Sequence, residues 1–371
     1  VNSATQKTDG SGDVTISIEV DDADDDDTKV KIQYESDSDG ACDGPWSAAT
    51  ILGSAATADF DDSGGAPDIA GGAYQIGATA TTRTRVITSS GSNSVSFDWD
   101  SDTDLASANG TNCINVTVND DTSDGTAANQ TMTLDNVDPT GLFAFAWDSS
   151  TTTTQTVDWT IATETNFNHY EIWYSIFQAD AEGRSGGAVE WDNGDDVALA
   201  TRTTTTTTIT GLSVNEKYYF DIWAVDDYGN EQSVASIFKY TLANAPSSPT
   251  VTGLTTTQIQ VAVTAGDGNP STTEYAIQET VSGEYLKGDG SLEAAETYQT
   301  ASAWGTVTMT GLTSNTRYGF KVKARNGDNT ETAFGSTVTE YTHASTVTSF
   351  TVAEATDKDD YVTTLTWSVP S

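Results

Sequence analysis

Basic residues are scarce in this chain: 15 lysines and arginines stand against 55 aspartates and glutamates, a formal charge of −40. That excludes recognition of nucleic acid through a basic face, because the phosphate backbone would be repelled. Anionic membrane surfaces are disfavoured for the same reason. Histidine is limited to His169 and His343, almost no material for a histidine zinc site or a Ser-His-Asp arrangement. No G-x-S-x-G, H-E-x-x-H or phosphate-loop pattern occurs. Carboxylates are so numerous that a pair of them says nothing about glycosidase chemistry. An enzyme is not expected. No apolar run is long enough for a membrane-spanning helix.

Cysteine is rarer still. Cys42 and Cys113 both fall inside the first 138 residues. A single pair within one domain of an apparent surface protein reads as a disulfide; two buried thiols are the alternative. Closing that loop contributes roughly 4 kcal/mol on the chain-entropy model. The chain opens at Val1 without a signal peptide, which reads as a processed or excised piece. Hydrophobic residues make up 36%, below the globular average. Nine Trp, 14 Tyr and 11 Phe still allow several aromatic cores. The length of 371 residues suits about two to four domains.

What is abundant is threonine in strand-like patterns. The stretch Thr203–Glu231 reads TTTTTTITGLSVNEKYYFDIWAVDDYGNE. Tyr218, Phe220, Ile222 and Ala224 fall on one face and Tyr219, Asp221, Trp223 and Val225 on the other, the period of a half-buried strand. β-branched threonines are stiff and favour strands. The pattern recurs at 307–327. Thr208, Thr210, Gly211, Leu212, Asn215, Tyr218, Phe220 and Ala224 match Thr308, Thr310, Gly311, Leu312, Asn315, Tyr318, Phe320 and Ala324, each 100 residues on. A fixed offset of one sandwich length marks a tandem array.

The repeated T-x-T-G-L-x-x-N-x-x-Y-x-F-x-x-x-A resembles the E strand, corner and F strand of a fibronectin type III module, over about 140–343 as two modules. The resemblance implies an all-β fold of tandem immunoglobulin-like and fibronectin type III β-sandwiches in an elongated rod. It also implies an extracellular or cell-surface setting and no reaction. In that family the strand-F tyrosine bonds back to the backbone through its hydroxyl, a role that falls to Tyr218 and Tyr318.

Residues 1–138 form a first β domain. Val14–Val20 and Val30–Tyr34 alternate around the acidic loop Asp21–Asp27, and Ser36–Gly44 carries a hairpin signal. Residues 53–72 read as a long loop or a weak edge. Val95–Trp99 and Cys113–Val118 are further strands. The ending Met132–Pro139 resembles the last strand and exit linker of bacterial surface immunoglobulin-like repeats. Residues 139–245 are the first fibronectin-like module, with Trp159 as its strand-B tryptophan and an elaborated stretch at Ser175–Ala200. Residues 246–343 are the second, with strand B at Ile259–Val263, no tryptophan there, and an inserted hairpin at Gly283–Gly290. Residues 344–371 begin another module, or donate strands to a neighbour's sheet; two strands alone cannot bury a core.

Calcium is the one ligand the sequence suggests. Asp98, Asp100, Asp102 and Asp104 recur at every second residue (DWDSDTD), and hard oxygen ligands so spaced can wrap the ion. With immunoglobulin-like connectivity this loop shares a pole with the linker carboxylates Asp135 and Asp138. Asp226 and Asp227 in the next module's F–G turn face them across the joint, where a cation would stiffen the rod. At the opposite pole Asp21, Asp22 and Asp24–Asp27 meet Asp120, Asp121 and Asp124 and repel unless a cation or partner binds. Solvated acidic loops are the alternative for both. Asn109, Asn115 and Asn129 satisfy the N-glycosylation pattern, although Asn115 falls within a strand. Lys287-Gly288-Asp289 resembles an integrin-type tripeptide in the context of an ordinary hairpin.

The function expected is an extracellular structural protein of a microbial surface layer or filament, self-associating through its sandwiches. One alternative is an adhesin binding a glycan or a surface protein, with Trp173, Trp191, Trp223 and Trp304 as stacking platforms. Another is the accessory region of a large secreted hydrolase.

Overall fold

A computed structural model of the chain describes residues 1–24, 26–37, 39–57, 73–77, 85–88, 91–264, 266–354 and 363–368. Three hydrophobic cores form, each inside its own stretch of sequence. The recurrent stretches therefore share no common core.

The first domain pairs β1 (Ser3–Gln6), β2 (Asp13–Val20), β6 (Asn93–Asp100) and β5 (Ile51–Thr57) in one sheet. The other holds β4 (Trp46–Ala48), β3 (Lys29–Glu35), β7 (Asn109–Asn119) and β8 (Ala128–Asp135). Alternation decides the faces: Val14, Ile16 and Ile18 of β2 and Phe97 and Trp99 of β6 point inward, meeting Ile32, Ile114 and Leu134. Trp99 stacks on Tyr34 across the sandwich at 5.6 Å. The stretch 53–72 begins as the end of β5; its remainder, 58–72, lies outside the described residues. Cys42 and Cys113 form the expected disulfide. Ile114 faces the core, so Cys113 lies on the outer face of β7, and the bridge pins the loop between β3 and β4 against that face.

In the second domain β9 (Ala146–Ser150), β10 (Gln155–Asp158) and β13 (Thr206–Ile209) face β11 (Phe167–Ser175), β12 (Val189–Trp191), β14 (Lys217–Asp226) and β15 (Glu231–Tyr240). Val157, Trp159 and Ile209 from one sheet bury against Tyr170, Ile172, Phe220 and Ile222 from the other. Trp159 meets Tyr170 edge-on at 5.2 Å. The tyrosine corner forms: the Tyr218 hydroxyl accepts the Ser213 N–H at 3.1 Å. The elaborated stretch 175–200 folds as a short helix (Gln178–Glu182), β12 and a 3-10 turn (Val197–Ala200). It lays Arg184 over the ring of Trp223 at 4.6 Å, covering the outer face of β14.

The third domain repeats the plan. β16 (Thr250–Thr255), β17 (Gln258–Ala262) and β22 (Thr306–Met309) face β18 (Glu274–Glu279), β19 (Tyr285–Leu286), β20 (Leu292–Glu293), β23 (Arg317–Arg325) and β24 (Val338–Tyr341), with β21 (Gln299–Thr300) against β18. The Tyr318 hydroxyl accepts the Thr313 N–H at 3.0 Å, the second corner. Val261 pairs with Val307 as Val157 pairs with Thr207, which puts Val263 where the second domain has Trp159. The missing bulk comes from elsewhere. Trp304, on the short helix Ala301–Trp304, is buried in this core and donates its indole N–H to the Tyr275 carbonyl at 2.7 Å.

The last two strands, β25 (Ser349–Glu354) and β26 (Thr363–Ser368), pair with each other in a sheet of their own. Phe350 lies opposite Trp367 and Val352 opposite Leu365, all four exposed.

Candidate functional site

Among the described residues no cluster of reactive side chains organises the molecule; the contacts between consecutive domains do. At the first joint Asp135, the last residue of β8, is fully buried. Its carbonyl accepts the Asn230 side-chain amide at 2.8 Å. Its carboxylate accepts the Asn166 amide at 2.7 Å and the Val137 N–H at 3.1 Å. Asn230 also donates to the Asp226 carboxylate at 2.8 Å, and the other Asp226 oxygen closes the F–G turn onto the N–H groups of Tyr228 and Asn230. Two glycine turns interlock beside this. The Gly10 N–H donates to the Tyr228 carbonyl at 3.0 Å. A Cβ on Gly229, which sits at φ +85, would come within 2.5 Å of the Gly10 nitrogen.

The second joint repeats the chemistry with other residues. Asn326 takes the place of Asp226: its side-chain oxygen accepts the N–H groups of Asp328 and Thr330, closing the same turn. Its amide donates to the carbonyl of Thr241, just past β15, at 3.1 Å. In both joints, then, a side-chain amide from the F–G turn reaches the main-chain carbonyl at the end of the preceding domain's last strand. Asn215 completes the second joint. Held at φ +48 in its corner, it donates to the Thr273 hydroxyl at 2.8 Å and accepts the Gly327 N–H at 2.9 Å. Asp328 adds an ion pair with Lys239 at 3.2 Å. A Cβ on Gly327 would overlap the Tyr240 ring, so glycine is what lets the turn close on the upstream strand.

Burial raises the pKa of both Asp135 and Asp226 against the lowering effect of their amide donors. Both carboxylates lie at this joint, and each of their oxygens accepts an N–H, three of the donors being asparagine groups. Asp138 and Asp227 stay exposed, Asp227 accepting the Asn168 amide at 3.0 Å.

The four alternating aspartates do not converge on one point. Asp98 lies on β6 and accepts the Lys7 ammonium at 2.7 Å and the Thr15 hydroxyl at 2.8 Å. Asp100 caps the short helix Ser101–Leu105, taking the Thr103 N–H at 2.9 Å. Asp102 is exposed on that helix, and Asp104 accepts the Thr50 N–H and the Trp99 indole. The strand ends at Asp100 and the helix turns the later carboxylates away from Asp98. Among the described residues the convergent carboxylates are Glu35, Asp37 and Asp39. Glu35 there is occupied with the N–H groups of Gly40, Asp43 and Gly44.

At the opposite pole Asp25 lies outside the described residues, and Asp121 and Asp124 are paired with basic side chains. Asp121 pairs with Lys29 and with Arg85 at 2.8 Å, and Asp124 with Lys31 at 3.0 Å. Among the glycosylation candidates Asn109 and Asn129 are exposed. Asn115 is 8% exposed and its side-chain nitrogen, the atom that would carry a sugar, donates to Asn129 at 2.7 Å. Of the candidate stacking platforms, Trp304 and Trp223 are buried, and Trp173 and Trp191 half-buried with their indole nitrogens bonded to Glu171 and Thr207. Beside Trp223 the polar cleft of Gln178, Glu182, Arg184 and Ser236 exposes one edge of Asp221, whose carboxyl burial pushes up to about 7.

The family comparison agrees with the build of the third domain. A family model described as Fibronectin type III domain matches residues 244–340. The third domain is a fibronectin type III domain. The second domain lies outside that match and shares the fibronectin type III build through its sheet order, its tyrosine corner and its F–G turn. A search of the curated proteins returns no match. Among solved structures the chain is similar to a two fibronectin type III domain segment from chicken tenascin, at 14% identity and TM-score 0.38, covering 55% of this chain and 100% of that one. It is also similar to the crystal structure of the chicken CNTN1 FN1–FN3 domains, at 13% identity and TM-score 0.25, covering 92% and 96%.

Proposed function

We propose that this chain is a non-enzymatic extracellular structural protein, a stiff run of β-sandwiches belonging to a microbial surface layer or filament, copies of which self-associate. The observation that carries the reading is the repeated joint: in two places an F–G turn amide is tied to the carbonyl ending the preceding domain. Flexible tandem domains need no such contacts, since domains joined by linkers move relative to one another by default. Each such hydrogen bond contributes about 0.5–1.5 kcal/mol net against water, so each joint resists opening. The disulfide and the fibronectin type III domain suit an extracellular setting. The first domain, on this reading, is the bacterial immunoglobulin-like repeat its sequence resembles. Calcium enters only as a counterion relieving the acidic surface.

Self-association has a ready surface in the hairpin β25–β26, whose exposed face of Phe350, Val352, Leu365 and Trp367 lacks an opposing sheet. Negative-stain electron microscopy of the purified chain tests the reading. Ordered polymers, abolished by truncation after residue 343, are the expected result. Isolated particles that bind glycan arrays would move the function to adhesion.

A further inference from the structure

Charge is distributed very unevenly over the sheets of the second and third domains. Residues 203–214, 240–266 and 297–316 contain no Asp, Glu, Lys or Arg in a chain that carries 70 of them. Of the strands in these segments, β13, β16, β17 and β22 lie on one side of their sandwiches, while the short β21 joins the other sheet. In the second domain Ser149, Thr156 and Thr208 form an outward row across β9, β10 and β13, with the Thr156 and Thr208 hydroxyls bonded at 2.9 Å. In the third, Thr252, Gln260 and Thr308 form the matching row across β16, β17 and β22, followed by Thr250, Ala262 and Thr306. Asp148 and Asp158 are the carboxylates on these six strands.

The opposite sheets differ. Their outer faces hold ion pairs: Arg184 with Glu171 and Glu231 in the second domain, Lys323 with Glu296 and Glu331 and Arg325 with Glu274 in the third. The first domain likewise places Lys7 with Asp98 on one face and Lys29 and Lys31 on the other.

A chain of formal charge −40 repels its own copies. Like charges brought together across an interface cost several kcal/mol. With Asp148 and Asp158 as their carboxylates, the threonine faces escape most of that cost, and their methyl and hydroxyl groups suit face-to-face packing of sheets about 10 Å apart. We propose that two copies of this chain meet side by side through the β9–β10–β13 and β16–β17–β22 faces. This rests on the self-association reading and names its lateral contact. Three strands about 4.8 Å apart and about five residues long give roughly 200 Å² per face, so both faces give roughly 400 Å² per copy. That is about half the 800 Å² per partner of a stable pairwise interface. One pairing is therefore weak, and contacts on one chain reinforce each other only when several engage together. An array follows rather than a tight dimer.

Both native cysteines are locked in the disulfide, so an introduced thiol is the sole free one among the described residues. Thr208→Cys and Thr308→Cys, oxidised while polymers are present, should yield disulfide-linked dimers at least about tenfold more than Ser233→Cys on the opposite sheet. The double variant Thr208→Glu, Thr308→Glu should raise the concentration needed for assembly about tenfold, while Thr208→Gln, Thr308→Gln leaves it near that of the parent. Circular dichroism checks that each variant folds. Polymers that cross-link equally through Ser233→Cys, or that tolerate both glutamates, overturn the lateral contact and leave the structural reading standing. No polymers from the unmodified chain at any salt concentration would overturn both.

Discussion

The side-chain amide of Asn326 reaches the main-chain carbonyl of Thr241 at 3.1 Å, across 85 residues of sequence and the boundary between two domains. Asn230 reaches Asp135 in the same way at 2.8 Å, across 95 residues. Neither pair contributes to the core of either sandwich. Asn326→Asp keeps an oxygen to close the third domain's own F–G turn, as Asp226 does in the second, and removes the amide donor. It should leave each domain's own melting near that of the parent while weakening the second joint by about 1–3 kcal/mol. Limited proteolysis of the segment 241–249, faster in the variant at unchanged melting temperature, is the expected outcome.

The tyrosine corners give a test inside single domains. The hydroxyls of Tyr218 and Tyr318 hold the Ser213 and Thr313 N–H groups. Tyr318→Phe removes one hydrogen bond with no change of packing, and should cost the third domain about 1 kcal/mol in urea unfolding. Tyr218→Phe should do the same to the second. A loss in the wrong domain would show that the repeats are not independent folding units.

Trp304 should matter far more. It fills the third core where a strand-B tryptophan is missing. Trp304→Ala should cost about 3–5 kcal/mol, the usual range for deleting a buried tryptophan. The second domain, built on Trp159, should be unaffected by that change.

The second domain should prefer mild acid. Burial pushes Asp221 from 3.8 up to about 7, and a hydrogen bond to Glu171 raises His169 above its ordinary 6.5. A group whose folded pKa is raised contributes stability present below its unfolded pKa and lost as pH rises through its folded one. The stabilisation His169 supplies is therefore lost as pH rises above 6.5, and Asp221 lowers stability as pH rises from 3.8 to about 7. Asp221→Asn should flatten that decline and gain about 2 kcal/mol at pH 8. Denaturant midpoints measured from pH 5 to pH 8 check both the slope and its removal.

Much of this architecture was legible in sequence because strand periodicity and a 100-residue offset survive in the residue order. The corner role of Tyr218 and Tyr318 was carried by the resemblance to the fibronectin type III corner. The joints were not legible. Asn215 belongs to the repeated corner motif and holds a turn conformation, yet its side chain spans two domains, a fact carried by docking and by no local pattern. Trp304 stood among the candidate stacking platforms, and the short helix that tips it inward is too brief to leave a periodic signal. The aspartates of DWDSDTD alternate as strand residues would, but Asp100 is a helix cap with acidic residues in the first turn after it, and that competing signal won. At the far pole, counting aspartates alone overlooked Lys29, Lys31 and Arg85, neighbours that strand pairing and the fold supply to Asp121 and Asp124.

Small-angle X-ray scattering of the whole chain, recorded in millimolar calcium and again in chelator, addresses the joints most directly. Amide-tied joints predict one well-defined maximum dimension and superimposable curves in the two conditions. A spread of dimensions in either condition, or a particle that changes its length when calcium is withdrawn, would contradict them.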